Sequence, residues 1–328
     1  MSRIHCLGGG LVGSFVTNRL VSSGHEVHLF DIISRDTDAK MHIGDALTAD
    51  HSAADLIVNM LPGSIGHAAT KSLSSSGQKI VDLSFSEITP DTLESVTSTI
   101  LWDVGIAPGL SNMLVAQAYR DWGKLDEVSI KVGGNPSESD DEWSYMAPFS
   151  PHDVIAEYTR PARIIRDGMK VEAPAMTELH GIDASGREME AFLTDGLRSL
   201  LDMPCDKMGE YTVRWPGHIQ LYQATELSPD DLVSKWAFDS ERGEFTWMEI
   251  FVRCNGESRR WVIEDSGRNG DSSMARTTGI VTAQCAIAWL DRPDMLPPGT
   301  HAPEDLPDEV IELVIDVMRS EGISIELK

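Results

Sequence analysis

Short apolar runs alternate with longer amphipathic stretches over the first third of the chain. Arg3-Ile4-His5-Cys6-Leu7, Glu26 to Phe30, Asp55 to Leu61, Lys79 to Ser84 and Thr99 to Asp103 read as strands, with Met41-His42-Ile43 as a shorter one. Residues 64–76 carry the spacing of a helix. Nearly continuous apolar strands separated by helices predict a parallel sheet covered on both faces, the doubly wound α/β arrangement. Ligands in such folds lie beyond the carboxyl ends of the strands. Asp31, Pro62-Gly63, Ser84-Phe85 and Asp103 occupy those ends.

From about residue 125 to residue 270 the period changes. Val128–Val132, Arg163–Ile165, Ala191–Thr194, Tyr211–Arg214, Thr246–Val252 and Arg259–Ile263 are short, β-rich and separated by glycine, proline and acidic turns. They predict a mixed, largely antiparallel sheet in a second α/β domain. Met274 to Leu290 is helical again and is expected to pack back on the first domain. Pro293, Pro297-Pro298 and Pro303 then read as a loop, Asp308–Glu321 as a last helix and Ile323–Leu327 as a strand. The expected division is 1–120 plus 274–328 for the first domain. Residues 121–273 are expected to form the second, which carries the substrate chemistry.

The first turn adds chemistry. Gly8-Gly9-Gly10-Leu11-Val12-Gly13 follows one strand and opens a helix, and the next strand ends on Asp31. Gly8 suits a tight turn, Gly10 lets the backbone approach a pyrophosphate, and Gly13 lets helix and sheet pack closely. The helix N-terminus presents unpaired N–H groups to the phosphates, and Asp31 suits a ribose hydroxyl. This is a Rossmann dinucleotide signature. Gly8, Gly10, Leu11, Val12, Gly13, Asp31, Leu61, Pro62 and Asp103 are the candidate cofactor contacts. The charge of Asp31 favours NAD over NADP; Ser34 and Arg35 would serve a 2′-phosphate only if Asp31 turned away.

Charge narrows the partners. The 328 residues carry 52 acids against 27 bases, a net −25. Such a field repels nucleic acid and anionic membranes. No apolar stretch approaches the roughly 18 residues that span a bilayer. The four cysteines, Cys6, Cys205, Cys254 and Cys285, form no CxxC pair, so no zinc or redox dithiol site is expected. With no signal peptide ahead of the first strand, a cytoplasmic protein is expected.

Three further segments carry candidate chemistry. Trp102-Asp103-Val104-Gly105-Ile106-Ala107-Pro108-Gly109 leads from a strand into a helix; Asp103 either acts on a substrate amine or braces the turn, and Ser111 and Asn112 suit a cap. In Tyr211-Thr212-Val213-Arg214-Trp215-Pro216-Gly217-His218, a strand delivers Arg214 and a Pro-Gly turn presents His218. Arginine suits a carboxylate and histidine a proton transfer, whereas the structural alternative is an ion pair and a turn histidine. Thr194 ends a strand before Asp195-Gly196, and Tyr145 lies ahead of a turn at Ser150-Pro151-His152; either lines a pocket or belongs to the core.

The glycine turn, Asp103–Gly109, Tyr158-Thr-Arg-Pro-Ala162 with Arg166-Asp-Gly168, Glu190–Thr194, Arg214–His218 and Met274-Ala-Arg-Thr-Thr278 occur in the order found in the saccharopine dehydrogenase family, which the chain resembles over nearly its whole length. Among the branches of that family it looks most like the lysine 6-dehydrogenases. The resemblance implies an NAD(P) cofactor, an amino-acid substrate oxidised at a C–N bond, here the 6-amino group of L-lysine, and a homodimer. It favours functional roles for Arg214 and His218. A mechanism consistent with these parts gives proton transfer to His218 with Asp103 assisting, the substrate carboxylate to Arg214, and further substrate contacts to Tyr145 and Thr194. Two alternatives stand beside it. One is a reductase forming a C–N bond, with Arg163, Arg166 and Arg198 as a second carboxylate clamp. The other is a non-catalytic sensor of NAD(H).

Overall fold

The apolar runs do become strands. The computed structural model describes residues 1–328. It begins β1 (Arg3–Leu7), α1 (Leu11–Ser22), β2 (Glu26–Asp31), β3 (Lys40–Ile43), β4 (Leu56–Asn59), α2 (Gly63–Leu73), β5 (Lys79–Asp82), β6 (Thr99–Trp102) and α3 (Leu110–Trp122). It continues β7 (Leu125–Pro136), α4 (Pro151–Thr159), β8 (Ala162–Arg166), β9 (Met169–Ala173), β10 (His180–Asp183), β11 (Glu188–Thr194), β12 (Cys205–Arg214), α5 (His218–Ala224) and α6 (Pro229–Lys235). It closes with β13 (Glu244–Cys254), β14 (Glu257–Ser266), α7 (Ser273–Asp291), β15 (Gly299–His301), α8 (Asp308–Ser320) and β16 (Ser324–Leu327).

Two compact units result, one of Met1–Met113 with Ala275–Met318, the other of Leu114–Met274 with Arg319–Lys328. The first holds a parallel sheet in the order β15-β6-β5-β4-β1-β2-β3. Ile4, Cys6, Leu29, Leu56, Val58, Val81 and Leu101 are fully buried on it, as continuous apolar strands require. β15 lies in the stretch read as a proline-bounded loop. It joins by pairing with β6, and three residues are too few to show a strand period.

The second unit holds a mixed sheet in the order β10-β11-β12-β7-β13-β14-β16, with β8 and β9 branching from β12. β12 runs parallel to β7, and the other pairings are antiparallel. β16 pairs with β14. The last ten residues therefore belong to this unit, not to the first domain as expected. The edge of a distant sheet, invisible to local pattern, decides their place. No helix is long and apolar enough to cross a membrane.

One face of the parallel sheet carries an unusual column of rings. His5 and His28 are register partners, as are Phe30 and His42. Phe30 stacks on His42 at 4.5 Å, His42 on His28 at 5.0 Å, and His28 on His5 at 5.1 Å. The protons can be assigned from the network. His51 Nε2 donates to the Ala46 carbonyl, so its Nδ1 accepts from His5 Nδ1 at 3.1 Å. That arrangement needs neutral imidazoles. Burial first, then the charges His51, His28, His42 and Arg3 would carry, lower His5 from 6.5 to about 4. Below pH 6.5 the unfolded chain takes up a proton that the folded chain refuses, so stability drains as pH falls toward 4. The melting temperature should drop over that window, and His5→Phe should flatten the drop. An equally steep drop in the variant would exonerate this histidine.

Candidate functional site

In the first unit, the residues chosen from the glycine motif converge on one end of the parallel sheet. The Gly8 N–H donates to the Phe30 carbonyl at 2.9 Å, tying the turn to β2. A Cβ on Gly13 would lie 2.2 Å from the Gly8 oxygen, so only glycine permits this approach of helix to turn. A Cβ on Gly10 would meet nothing within 4 Å, which leaves open space over the turn. Gly10 is the N-cap of α1, with no side-chain cap and no acid in the first turn. An anion is the natural partner of such an N-terminus. Leu61 and Pro62 follow β4 beside the turn: Leu61 lies 3.4 Å from the position of a Cβ on Gly8, and Pro62 caps α2.

Asp31 is buried at the end of β2. It accepts from the Gly9 N–H at 2.7 Å, the Ile33 N–H at 2.9 Å and Arg35 Nε at 3.1 Å. Burial opposes its charge, but these donors outweigh it and hold the carboxyl below its ordinary value. Asp31 thus remains an acceptor for hydroxyls, and Arg35 is bound to it instead of standing free. An open turn, an uncapped helix N-terminus and a fixed carboxylate fit the diphosphate and ribose of a dinucleotide.

Asp103 directly follows β6 in the same unit. It is buried and has φ 58°, a left-handed conformation that costs a non-glycine residue free energy and recurs at functional sites. The turn behind it is tight: a Cβ on Gly109 would lie 1.9 Å from the Gly105 oxygen. Asn112 Oδ1 accepts from the Gly109 N–H at 3.1 Å and from Ser111 Oγ at 3.0 Å. Both residues therefore brace the turn.

In the second unit, strand alternation puts Glu190, Phe192 and Thr194 of β11 on the same sheet face as Glu210, Thr212 and Arg214 of β12. Against this face lie Trp143, Tyr145, Val154 and Tyr158 of α4, Ile219, Leu232 and Trp236. α4 starts where a turn was expected, because Ser150 Oγ accepts from the Asp153 N–H and Pro151 fits the first helical position. Arg214 Nε donates to Tyr158 Oη at 2.8 Å, Nη1 to the Val213 carbonyl at 2.9 Å, and Nη2 to Tyr145 Oη at 3.5 Å. The Tyr145 ring lies 4.5 Å from the guanidinium.

The Pro216-Gly217 turn, closed by the His218 N–H on the Trp215 carbonyl at 3.3 Å, does deliver His218, but into the interior. This histidine is the first residue of α5 and 2% exposed. Its Nδ1 is 3.0 Å from the Trp143 carbonyl and its Nε2 3.1 Å from Tyr158 Oη. A carbonyl only accepts, so Nδ1 carries the proton and Nε2 accepts from Tyr158. The result is a directed chain, Arg214 to Tyr158 to His218 to the Trp143 carbonyl. Burial, then Arg214, lower His218 from 6.5 to about 3. Its imidazole is neutral, with both nitrogens hydrogen-bonded. Thr194 Oγ1 pairs with Thr212 Oγ1 at 2.9 Å and is buried.

Arg214 is the exception to ordinary pairing. It is 3% exposed, and no carboxylate stands within ion-pair distance of it. Other arginines differ. Arg163 grips Asp195 through Nε at 2.9 Å and Nη2 at 2.7 Å, and Arg166 Nη2 binds Glu178 at 2.7 Å. Neither offers a free fork for a second substrate carboxylate. Motif reasoning quoted Tyr158 but gave it no role, and it passed over Glu157 and Trp236. The i, i+4 pair of Val154 and Tyr158 was the available signal.

The first unit is a Rossmann-type dinucleotide-binding fold, and the second a mixed α/β sheet domain. The chain belongs to the saccharopine dehydrogenase family: the model of the saccharopine dehydrogenase C-terminal domain matches residues 105–323. It resembles the apo, histidine-tagged saccharopine dehydrogenase (L-Glu forming) of Saccharomyces cerevisiae with a TM-score of 0.76 at 14% identity, over 100% of this chain and 99% of that one. It also resembles the homospermidine synthase of Legionella pneumophila, solved in complex with NAD, with a TM-score of 0.71 at 11% identity over 100% and 91% of the two chains. These similarities establish the fold.

Removing one hydroxyl should expose the weight of the buried chain. Tyr158→Phe strips a partner from both Arg214 Nε and His218 Nε2, and should cost about 1–3 kcal/mol in urea unfolding. A variant as stable as the parent would mean the chain carries no such load.

Proposed function

We propose that this protein is an NAD-dependent oxidoreductase that oxidises a C–N bond of an amino acid, with the 6-amino group of L-lysine as the reacting amine. The observation that carries this reading is Arg214, a buried guanidinium without a carboxylate of its own. A buried unpaired charge is expensive. An arginine left so is built for an anion that arrives with the substrate, and a carboxylate suits its fork.

The cofactor would be held by the turn Gly8–Gly13, with the diphosphate over Gly10 and a ribose on Asp31. When bound, it supplies a hydride acceptor. Everything else falls to side chains. Tyr158 and Tyr145 fix the guanidinium, and His218 fixes Tyr158. The 6-ammonium of lysine has a reference pKa of about 10.4, so a base must take its proton before the C–H bond can give up hydride. A C–N forming reductase needs a second clamp, and the engagement of Arg163 and Arg166 weighs against it.

The test is absorbance of reduced cofactor formed from L-lysine with NAD and with NADP. NADH should form, faster with NAD. Arg214→Ala should raise KM by roughly 10- to 100-fold, the worth of a charge-assisted bond, and change kcat far less. Failure of every amino acid to yield reduced cofactor would sink the proposal.

A further inference from the structure

A half-buried carboxyl lies in the field of the Arg214 guanidinium. Glu157 is on α4, next to Tyr158 and three residues beyond Val154, on the flank of the buried stripe those two define. It forms no hydrogen bond and no ion pair. The other cation in its field, Arg160, is ion-paired elsewhere, with its Nε 2.9 Å from Asp195. Arg214 in turn is held by Tyr158, Tyr145 and the Val213 carbonyl. An acid and a base thus lie in one another's field without touching. The acid lacks a cation and the base lacks an anion.

We propose that Glu157 and Arg214 together seat the dipolar head of an amino-acid substrate, Glu157 taking the α-ammonium and Arg214 the α-carboxylate. This rests on the function proposed above. The two groups of an α-amino acid share one carbon, so a single ligand head satisfies both deficits at once. Burial pushes the Glu157 carboxyl up to about 7, while Arg214 and Arg160 pull it down and Asp153 and Asp195 oppose them. An arriving ammonium would tip that balance to the charged form. Holding the head this way leaves the far end of a lysine free to react. Glu157 is thereby a specificity residue, one that distinguishes an α-amino acid from a simple ω-amino acid.

The probes are L-lysine and 6-aminohexanoate, which has the same carboxylate and terminal amine but no α-ammonium. With the full chain and NAD, Glu157→Gln should raise KM for L-lysine about tenfold or more, the loss expected for a hydrogen bond to a charged group. It should leave kcat/KM for 6-aminohexanoate within about twofold. Glu157→Asp should recover part of the lysine loss, and Arg214→Ala should weaken both probes. Equal losses on the two probes, or none on lysine, would overturn the assignment while wild-type turnover of lysine kept the broader function intact. A wild type inactive on lysine and on every other α-amino acid would remove the broader function, and the seat with it. Unfolding midpoints of both Glu157 variants separate misfolding from a binding defect.

Discussion

A guanidinium buried without a counter-ion sets the terms for the second unit. Removing such a charge from water costs several kcal/mol unless dipoles and hydrogen bonds replace the lost solvent. Here Tyr158, Tyr145 and the Val213 carbonyl do so, and aromatic faces surround them. The compensation is partial, because none of these partners carries a full negative charge. Tyr158 could not hold its position alone. Its proton is fixed by His218, and the His218 tautomer is fixed by the Trp143 carbonyl. One backbone acceptor thereby propagates a direction through two side chains to the charge.

The first unit works by the opposite device. Its dinucleotide end is built from absence: no Cβ at Gly13 where the helix meets the turn, none at Gly10 where a ligand needs room, and no side chain capping α1. Asp31 is the one fixed charge, already gripped by two backbone N–H groups and Arg35. Such a carboxylate moves little on binding and so costs little to organise. The open glycine turn of the first unit and the buried guanidinium of the second are thus arranged by different physics in different parts of the chain.

The turn of Gly8 to Gly13, the strand-end acid Asp31 and the parallel sheet were all legible in the order of residues, because each leaves a local signature of glycine spacing, strand end or continuous apolar run. The alternating strands of the second unit were legible for the same reason. Ser150-Pro151 was misread as a turn because the two residues also open a helix, and a nine-residue helix carries too little period to overrule that reading. His218 was expected at a proton-transfer position. Histidine chemistry is visible in a sequence, but the occupancy of its two nitrogens is not.

By itself, the sequence determined the two sheet types, the dinucleotide turn and the candidates Asp31, Asp103, Arg214 and His218, since periodicity, glycine placement and strand ends are local properties. Only the tertiary structure decided which charges are spoken for. Asp195 neutralises Arg160 and Arg163 across loops and strands, whereas Arg214 and Glu157 are left without ionic partners. Ion pairing depends on distances of a few ångströms between residues dozens of positions apart, and no local pattern encodes those.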